Sequence, residues 1–185
     1  MDDNEILDLY WQRDTRALDE TEARYGGYCR AIACNILQNP EDAEESVNDT
    51  WLHAWNAIPP ERPLALRTWL SRVTRNLSLS RLRRSRAKRR GGGEAALALE
   101  ELSECLPGPS SVEGELEARE LEQAVRRFLD GLGRQERDVL LARYYYLAPL
   151  REISQKTGCS VSKLKSLLYR SRRKLQHYLQ EEGYL

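Results

Sequence analysis

The chain has 185 residues, 29 basic and 29 acidic side chains, and an apolar share of 41%. That length suits two small cores better than one, and no apolar run approaches the roughly 18–20 residues a membrane span needs. Asp2, Asp3 and Glu5 give the start of the chain the wrong sign for a secretory signal, so a soluble, cytoplasmic protein is expected.

The zero net charge is divided into blocks. Residues 1–61 carry 4 basic and 14 acidic groups, residues 62–90 carry 11 and none, residues 91–122 carry 1 and 9, and residues 123–185 carry 13 and 6. Two basic blocks separated by an acidic one predict two anion-binding surfaces on a chain that meets other partners through acidic faces. Cys29, Cys34, Cys105 and Cys159 show no CxxC pair, and neither His53 nor His177 stands beside a cysteine pair. Small core fillers in a reducing compartment are expected rather than a zinc site.

The apolar periodicity is helical throughout, which predicts an all-α chain. Residues from about Glu5 to Leu37 read as one or two helices, with Gly26-Gly27 as the weak point. Asn39-Pro40 then marks a helix start, because Asn39 can cap exposed amides and Pro40 suits the first helical position. Ala43, Val47, Trp51, Ala54, Trp55 and Ile58 follow as one stripe, ended by Pro59-Pro60. Thr68 is expected to cap the next helix, which runs to about Arg86 and buries Trp69, Leu70, Val73 and Leu77. Leu79 and Leu82 fall on its other side, among arginines.

Residues 91–114 read as an acidic flexible linker between a domain at 1–90 and a domain at 115–185. Gly91-Gly92-Gly93 opens it, Pro107-Gly108-Pro109-Ser110-Ser111 interrupts it, and Glu94 to Leu106 has the composition of a short helix. In the second domain Leu121, Ala124, Val125, Phe128 and Leu132 form a stripe broken by Gly131 and Gly133. Val139, Leu140 and Tyr144 form another, ended by Ala148-Pro149.

The strongest local signal lies at the C-terminal end. Ile153 and Ser154, then Gly158, then Val161, Leu164, Leu167 and Leu168 match a helix-turn-helix, which needs a turn glycine and apolar residues facing inward on both helices. That leaves Ser162, Lys163, Lys165, Ser166, Tyr169, Arg170 and Arg173 on the outer surface, as on a helix that enters the major groove. The second signal is the basic stretch Arg62 to Arg90, whose arginines suit phosphates and whose Asn76 suits a base edge. The helical spacing of Trp51, Trp55 and Trp69 assigns all three to the core rather than to a stacking platform.

At this point "NPEDAEESVNDTWLHAW" and "RTWLSRVTRNLSLSRLRR" resemble region two of the extracytoplasmic-function sigma factors of bacterial RNA polymerase. "LGRQERDVLLARYYYLAPLREISQKTGCSVSKLKSLLYRSRRKL" resembles their region four. The resemblance implies two helical domains, promoter-specific transcription initiation, no enzymatic step and no cofactor. It implies core-polymerase docking through Glu44, Glu45, Asn48, Asp49 and Leu52. Minus-ten DNA would be met by the loop Pro59–Leu66 with Arg72, Arg75, Asn76, Arg81 and Arg84. Minus-thirty-five DNA would be met by Lys163, Lys165, Ser166, Tyr169, Arg170 and Arg173. An anti-sigma protein is an implied further partner. The linker would thread towards the active-site cleft of the polymerase.

Asn48, Ser80, Ser154, Lys163 and Leu167 depart from the usual family residues and leave the promoter sequence open. The alternative is a conventional helix-turn-helix regulator that binds duplex DNA without core polymerase. A nucleic-acid enzyme is disfavoured, because the sequence has no Walker loop, no HExxH and no spaced histidine–cysteine or histidine–carboxylate set.

Overall fold

The computed structural model describes residues 1–86, 93–107 and 115–185, and every regular element among them is helical. The chain forms two compact units, Met1–Gly91 and Gly92–Leu185. The first contains α1 (Asp3–Trp11), α2 (Arg16–Leu37), α3 (Pro40–Ala57) and α4 (Leu66–Arg86). The second contains α5 (Glu94–Ser103), α6 (Glu115–Asp130), α7 (Arg134–Leu140), α8 (Leu150–Thr157) and α9 (Val161–Glu181). A π-helical turn, Leu141–Tyr145, extends α7.

In the first unit α2, α3 and α4 pack together around Tyr10, Cys29, Ala43, Val47, Ala54, Ile58, Leu66 and Leu70. The α3 start forms as its sequence requires. The Asn39 side chain accepts from the amides of Glu41 at 2.9 Å and Asp42 at 3.1 Å, beside Pro40. Two boundaries differ from expectation. The break in the N-terminal segment falls at residues 12–15, where Arg13 takes a φ of 57°, and α2 runs unbroken through Gly26-Gly27. The carboxylate of Glu22 occupies the space a Cβ on Gly26 would take, so close side-chain approach, not a bend, uses that glycine. α4 begins at Leu66, so Thr68 lies in its first turn rather than capping it.

The face of α4 that meets α3 is not the purely apolar one expected. Trp69, Val73 and Leu77 are only half-buried, while Ser71, Thr74 and Ser78 are buried beside Leu70. Ser46 and Ser78 hydroxyls pair at 2.8 Å, and Thr50 donates to Thr74 at 3.2 Å. Small hydroxyl side chains let the two helices approach closely while satisfying one another. Leu79, on the other side, is buried too, so α4 is covered on two sides.

A double-mutant cycle tests this seam. Ser46→Ala alone leaves a buried hydroxyl on Ser78 and should cost about 1–3 kcal/mol in denaturant unfolding. Ser46→Ala with Ser78→Ala should cost less than the two single changes added, because no orphan remains. Strict additivity would mean the pair is not coupled.

In the second unit α6 and α9 share a core of Leu121, Ala124, Val125, Phe128, Leu175, Tyr178 and Leu179. The stretch expected to be a linker contributes to that core. α5 buries Ala95, Ala96 and Ala98, and the turn after it buries Cys105, which packs with Leu102 and Leu106 on the α6–α9 cluster. A short helix at this place fits its alanine–leucine–glutamate composition, and its docking explains why it is not free. Arg143 in the π-helical turn is fully buried, and it donates to Glu94 at 2.6 Å and to Glu101 at 3.3 Å. The triple glycine and the Pro-Gly-Pro-Ser-Ser run lie largely outside the described residues.

Cys29 and Cys105 are buried as expected of core fillers. Cys34 is exposed and Cys159 lies in the turn before α9, so the core-filler reading fails for these two. All four cysteines are free thiols.

Candidate nucleic-acid interface and acidic face

α3 carries Glu44, Glu45, Asn48, Asp49 and Leu52 on one outer face, because spacings of three and four return to the same side of a helix. Leu52 is 60% exposed among these polar groups. The carboxylates are not loose. Glu44 accepts from Arg30 Nε at 2.8 Å, and Arg30 also pairs with Glu22, which accepts from Trp51 Nε1 at 2.7 Å. Glu45 and Asp49 share one guanidinium, that of Arg81, with Asp49 at 2.8 Å. The hydrogen bond and charge of Arg81 hold the Glu45 carboxyl below its ordinary range. The result is a fixed row of negative charge around an exposed leucine. Such a face fits a partner surface that is basic and partly apolar.

The basic residues of α4 divide. Arg72, Asn76 and Arg84 are exposed, Arg75 is half-buried, and Arg81 is turned onto α3. Arg81, grouped with the DNA contacts from sequence, therefore spends its charge on Glu45 and Asp49 in the free chain. Arg72 and Asn76 open onto a cleft of about 370 Å³ lined also by His53, Glu61, Trp69, Val73 and Leu77. Trp69 Nε1 donates to Glu61 at 2.9 Å, and the His53 ring lies 5.7 Å from the Trp69 ring. Trp51, Trp55 and Trp69 all pack partly buried against the core, as their spacing required. Trp69 has a second role as a cleft wall. His53 was not singled out from sequence, although it stands one turn before Ala57 on the helix that leads into the loop. A polar-edged cleft of this size can hold an unstacked base.

In the second unit α8 and α9 form the helix-turn-helix. Gly158 takes a φ of 69° after α8, a conformation other residues adopt only with strain. Ser154 donates to the carbonyl of Cys159 at 2.6 Å across the turn. This bond gives the serine a job at a position where a small side chain is needed. Ser160 caps α9 by accepting from the Lys163 amide at 3.2 Å. Leu164, Leu168, Ser171 and Leu175 face inward. Lys163, Lys165, Ser166, Tyr169, Arg170 and Arg173 are all exposed on α9, with Tyr169 at 59%. Arg173 is steadied by Gln176 at 2.8 Å. The six residues predicted from sequence thus share one helix and its solvent side.

Glu136 ties α7 to α9, accepting from Ser171 at 2.6 Å and Lys174 at 3.0 Å. Burial opposes its ionisation, but the Ser171 hydroxyl and the Lys174 ammonium outweigh that and hold its carboxyl below the usual range. A carboxyl depressed on folding stabilises the unit above its unfolded pKa and loses that contribution as pH falls through the folded value. Melting of the chain should therefore become less acid-sensitive in Glu136→Gln. Equal acid sensitivity in both forms would remove this tie from the account.

The family comparisons cover parts of both units. Sigma-70 region 2 matches residues 23–88, which hold α3, α4 and the cleft. Sigma-70 region 4 matches residues 122–175, which hold the helix-turn-helix. The probable RNA polymerase sigma factor RfaY of Xanthomonas campestris pv. campestris is 27% identical over 150 residues, 80% of this chain. The match covers 37% of RfaY, so the chain spans little more than a third of the length of that relative. A chain in the solved structure of CnrH in complex with the cytosolic domain of CnrY aligns over 98% of this chain and 99% of its own length, at 23% identity and a TM-score of 0.45. Among the described residues no helix is long and apolar enough to cross a membrane. Carrying both sigma regions in order, one on each compact unit, the chain belongs to the sigma-70 family of RNA polymerase sigma factors, in its extracytoplasmic-function group.

Proposed function

We propose that this chain recruits core RNA polymerase to particular promoters and takes no part in bond chemistry. One observation carries the reading. An acidic, leucine-centred face on α3 and an exposed basic recognition helix on α9 stand on separate units of one chain. A regulator that binds only duplex DNA has no use for the first of these. In this reading Glu44, Glu45, Asn48, Asp49 and Leu52 dock on the polymerase. Arg72, Asn76 and Arg84, with Arg75 behind them, hold the minus-ten strand at the His53–Trp69 cleft. Lys163, Lys165, Ser166, Tyr169, Arg170 and Arg173 read the minus-thirty-five duplex. Holding single strands more tightly than duplex shifts the local equilibrium towards the melted form.

The chain works in the cytoplasm, where polymerase and DNA are, and the family resemblance adds an anti-sigma protein as a third partner. In vitro transcription of fragmented genomic DNA by core polymerase plus the purified chain tests the proposal. Discrete new start sites are the expected result. A chain that footprints duplex DNA alone and yields no start site with core enzyme would support the regulator instead.

A further inference from the structure

The arginine-rich run of α9 at residues 170–173 is divided by what its members touch. Arg170 and Arg173 face solvent, Ser171 is buried, and Arg172 turns inward against α5 and the π-helical turn. Arg172 donates to Glu101 of α5 at 3.3 Å and to the Tyr144 hydroxyl at 2.6 Å. Tyr144 donates to the same carboxylate oxygen at 3.1 Å, and Arg143 donates to the other one at 3.3 Å. Burial pushes the Tyr144 phenol up to about 12, so its proton stays in place across the physiological range. α5 is a firm anchor for these bonds. Leu102 at its end, with Cys105 and Leu106 in the turn after it, belongs to the same apolar cluster as Ala124, Leu175 and Leu179. Glu101 itself lies outside the stretch that matches region 4.

We propose that Glu101 is a positioning residue for the minus-thirty-five surface, fixing the roll of α9 about its own axis through Arg172. The proposal rests on the reading of α9 as the recognition helix and deepens it. The inward leucines hold α9 against its neighbours, but apolar contact is non-directional and does little to stop a helix rolling. Hydrogen bonds are directional. Glu136 accepts from Ser171 at 2.6 Å on the α7 side, and Glu101 accepts from Arg172 on the α5 side. Consecutive residues of a helix point about 100° apart, so the two ties act at different bearings and together oppose roll. The stakes are geometric. A roll of roughly 20° carries side-chain tips, about 5–6 Å from the axis, through about 2 Å. A hydrogen bond to a base edge tolerates only about 0.5 Å. Lys165, Tyr169, Arg170 and Arg173 would then lose sequence discrimination before they lose affinity for duplex in general, since phosphate contacts carry no sequence.

The test uses full chains with core polymerase, at a temperature where thermal unfolding shows all variants folded. The templates are a start site found by the transcription assay and the same site with single changes in its minus-thirty-five element. Glu101→Leu removes the acceptors on the α5 side while Arg143 keeps Glu94 at 2.6 Å. Arg172→Met removes the tie from the α9 side and leaves Glu101 its bonds to Arg143 and Tyr144. Each should lower discrimination between matched and altered sites about tenfold, with binding to unrelated duplex unchanged. The double variant should be no worse than either single one, because both break the same contact. Glu101→Gln, which keeps an acceptor at this place, should restore most of the discrimination. Glu100→Gln, on the exposed side of α5, should match the parent. The free chain gives a second readout. Amide chemical shifts of residues 165–173 should move in Glu101→Leu and hold still in Glu100→Gln. Parent-level discrimination in both Glu101→Leu and Arg172→Met would overturn the proposal. So would losses that add in the double variant, or α9 shifts untouched by Glu101→Leu. A parent chain that yields no start site, with α9 shifts still moved by Glu101→Leu, would remove the recognition reading and leave Glu101 only a tie in the fold.

Discussion

Reversing charge at Glu45 and Asp49, as Glu45→Lys/Asp49→Lys, should weaken association with core polymerase by at least about 100-fold, because like charges set against a partner surface cost several kcal/mol. Both residues stand on the exposed face of α3 and both lean on Arg81. The reversal therefore acts twice. It removes the negative row that a basic partner would meet, and it sets two new cations beside a guanidinium that has lost its acceptors. The second effect is small in the free chain, since Glu45 and Asp49 are 65% and 46% exposed and water screens pairs of this kind. Neutral Glu45→Gln/Asp49→Asn separates the two. It should lose part of the polymerase affinity and leave the melting temperature nearly unchanged. Surface plasmon resonance on immobilised core enzyme, beside thermal unfolding, gives both numbers. Wild-type affinity in the reversed variant would take α3 out of the docking surface.

Arg81 shows what sequence could and could not tell. Its place in a run of arginines made it look like a phosphate contact. Its partners stand 32 and 36 positions earlier, and only the packing of α3 on α4 brings them within reach. Local signals fared better. Asn39-Pro40 and Gly158 act on their own backbone, so their roles followed from neighbours a few residues away. The hydroxyl seam was missed for a different reason. Ser46, Thr50, Thr74 and Ser78 score as polar in a periodicity count, yet Thr74 and Ser78 are four apart and share the side of Leu70. Same-face hydroxyls on two neighbouring helices were the available clue. The docking of α5 was hidden most deeply. An acidic, glycine-flanked stretch has the composition of a linker, and nothing local discloses that Arg143, more than forty residues on, is buried and in need of carboxylates.

The recognition helix gives the other large effect. Lys165→Ala/Arg170→Ala should reduce promoter-specific initiation by roughly 10- to 100-fold, since a good contact to a base edge is worth about 1–3 kcal/mol. Both side chains are exposed, and neither belongs to the Leu164–Leu168–Leu175 inner face, so the fold should tolerate the change. Binding of core polymerase should be unaffected, because the acidic face lies on the other unit. Salt titration then sorts the two roles. Removing a side chain that neutralises one phosphate should flatten the logarithmic dependence of promoter binding on salt by about 0.9, whereas removing one that reads a base lowers affinity without changing the slope. Single variants at Lys165 and Arg170, read on matched and altered minus-thirty-five sequences, identify which residue reads bases. A variant that loses affinity equally on every sequence holds phosphate. One that relaxes preference at a single base pair reads its edge. If the double variant initiates at the wild-type rate from the same start sites, the outer face of α9 is not where the duplex lies.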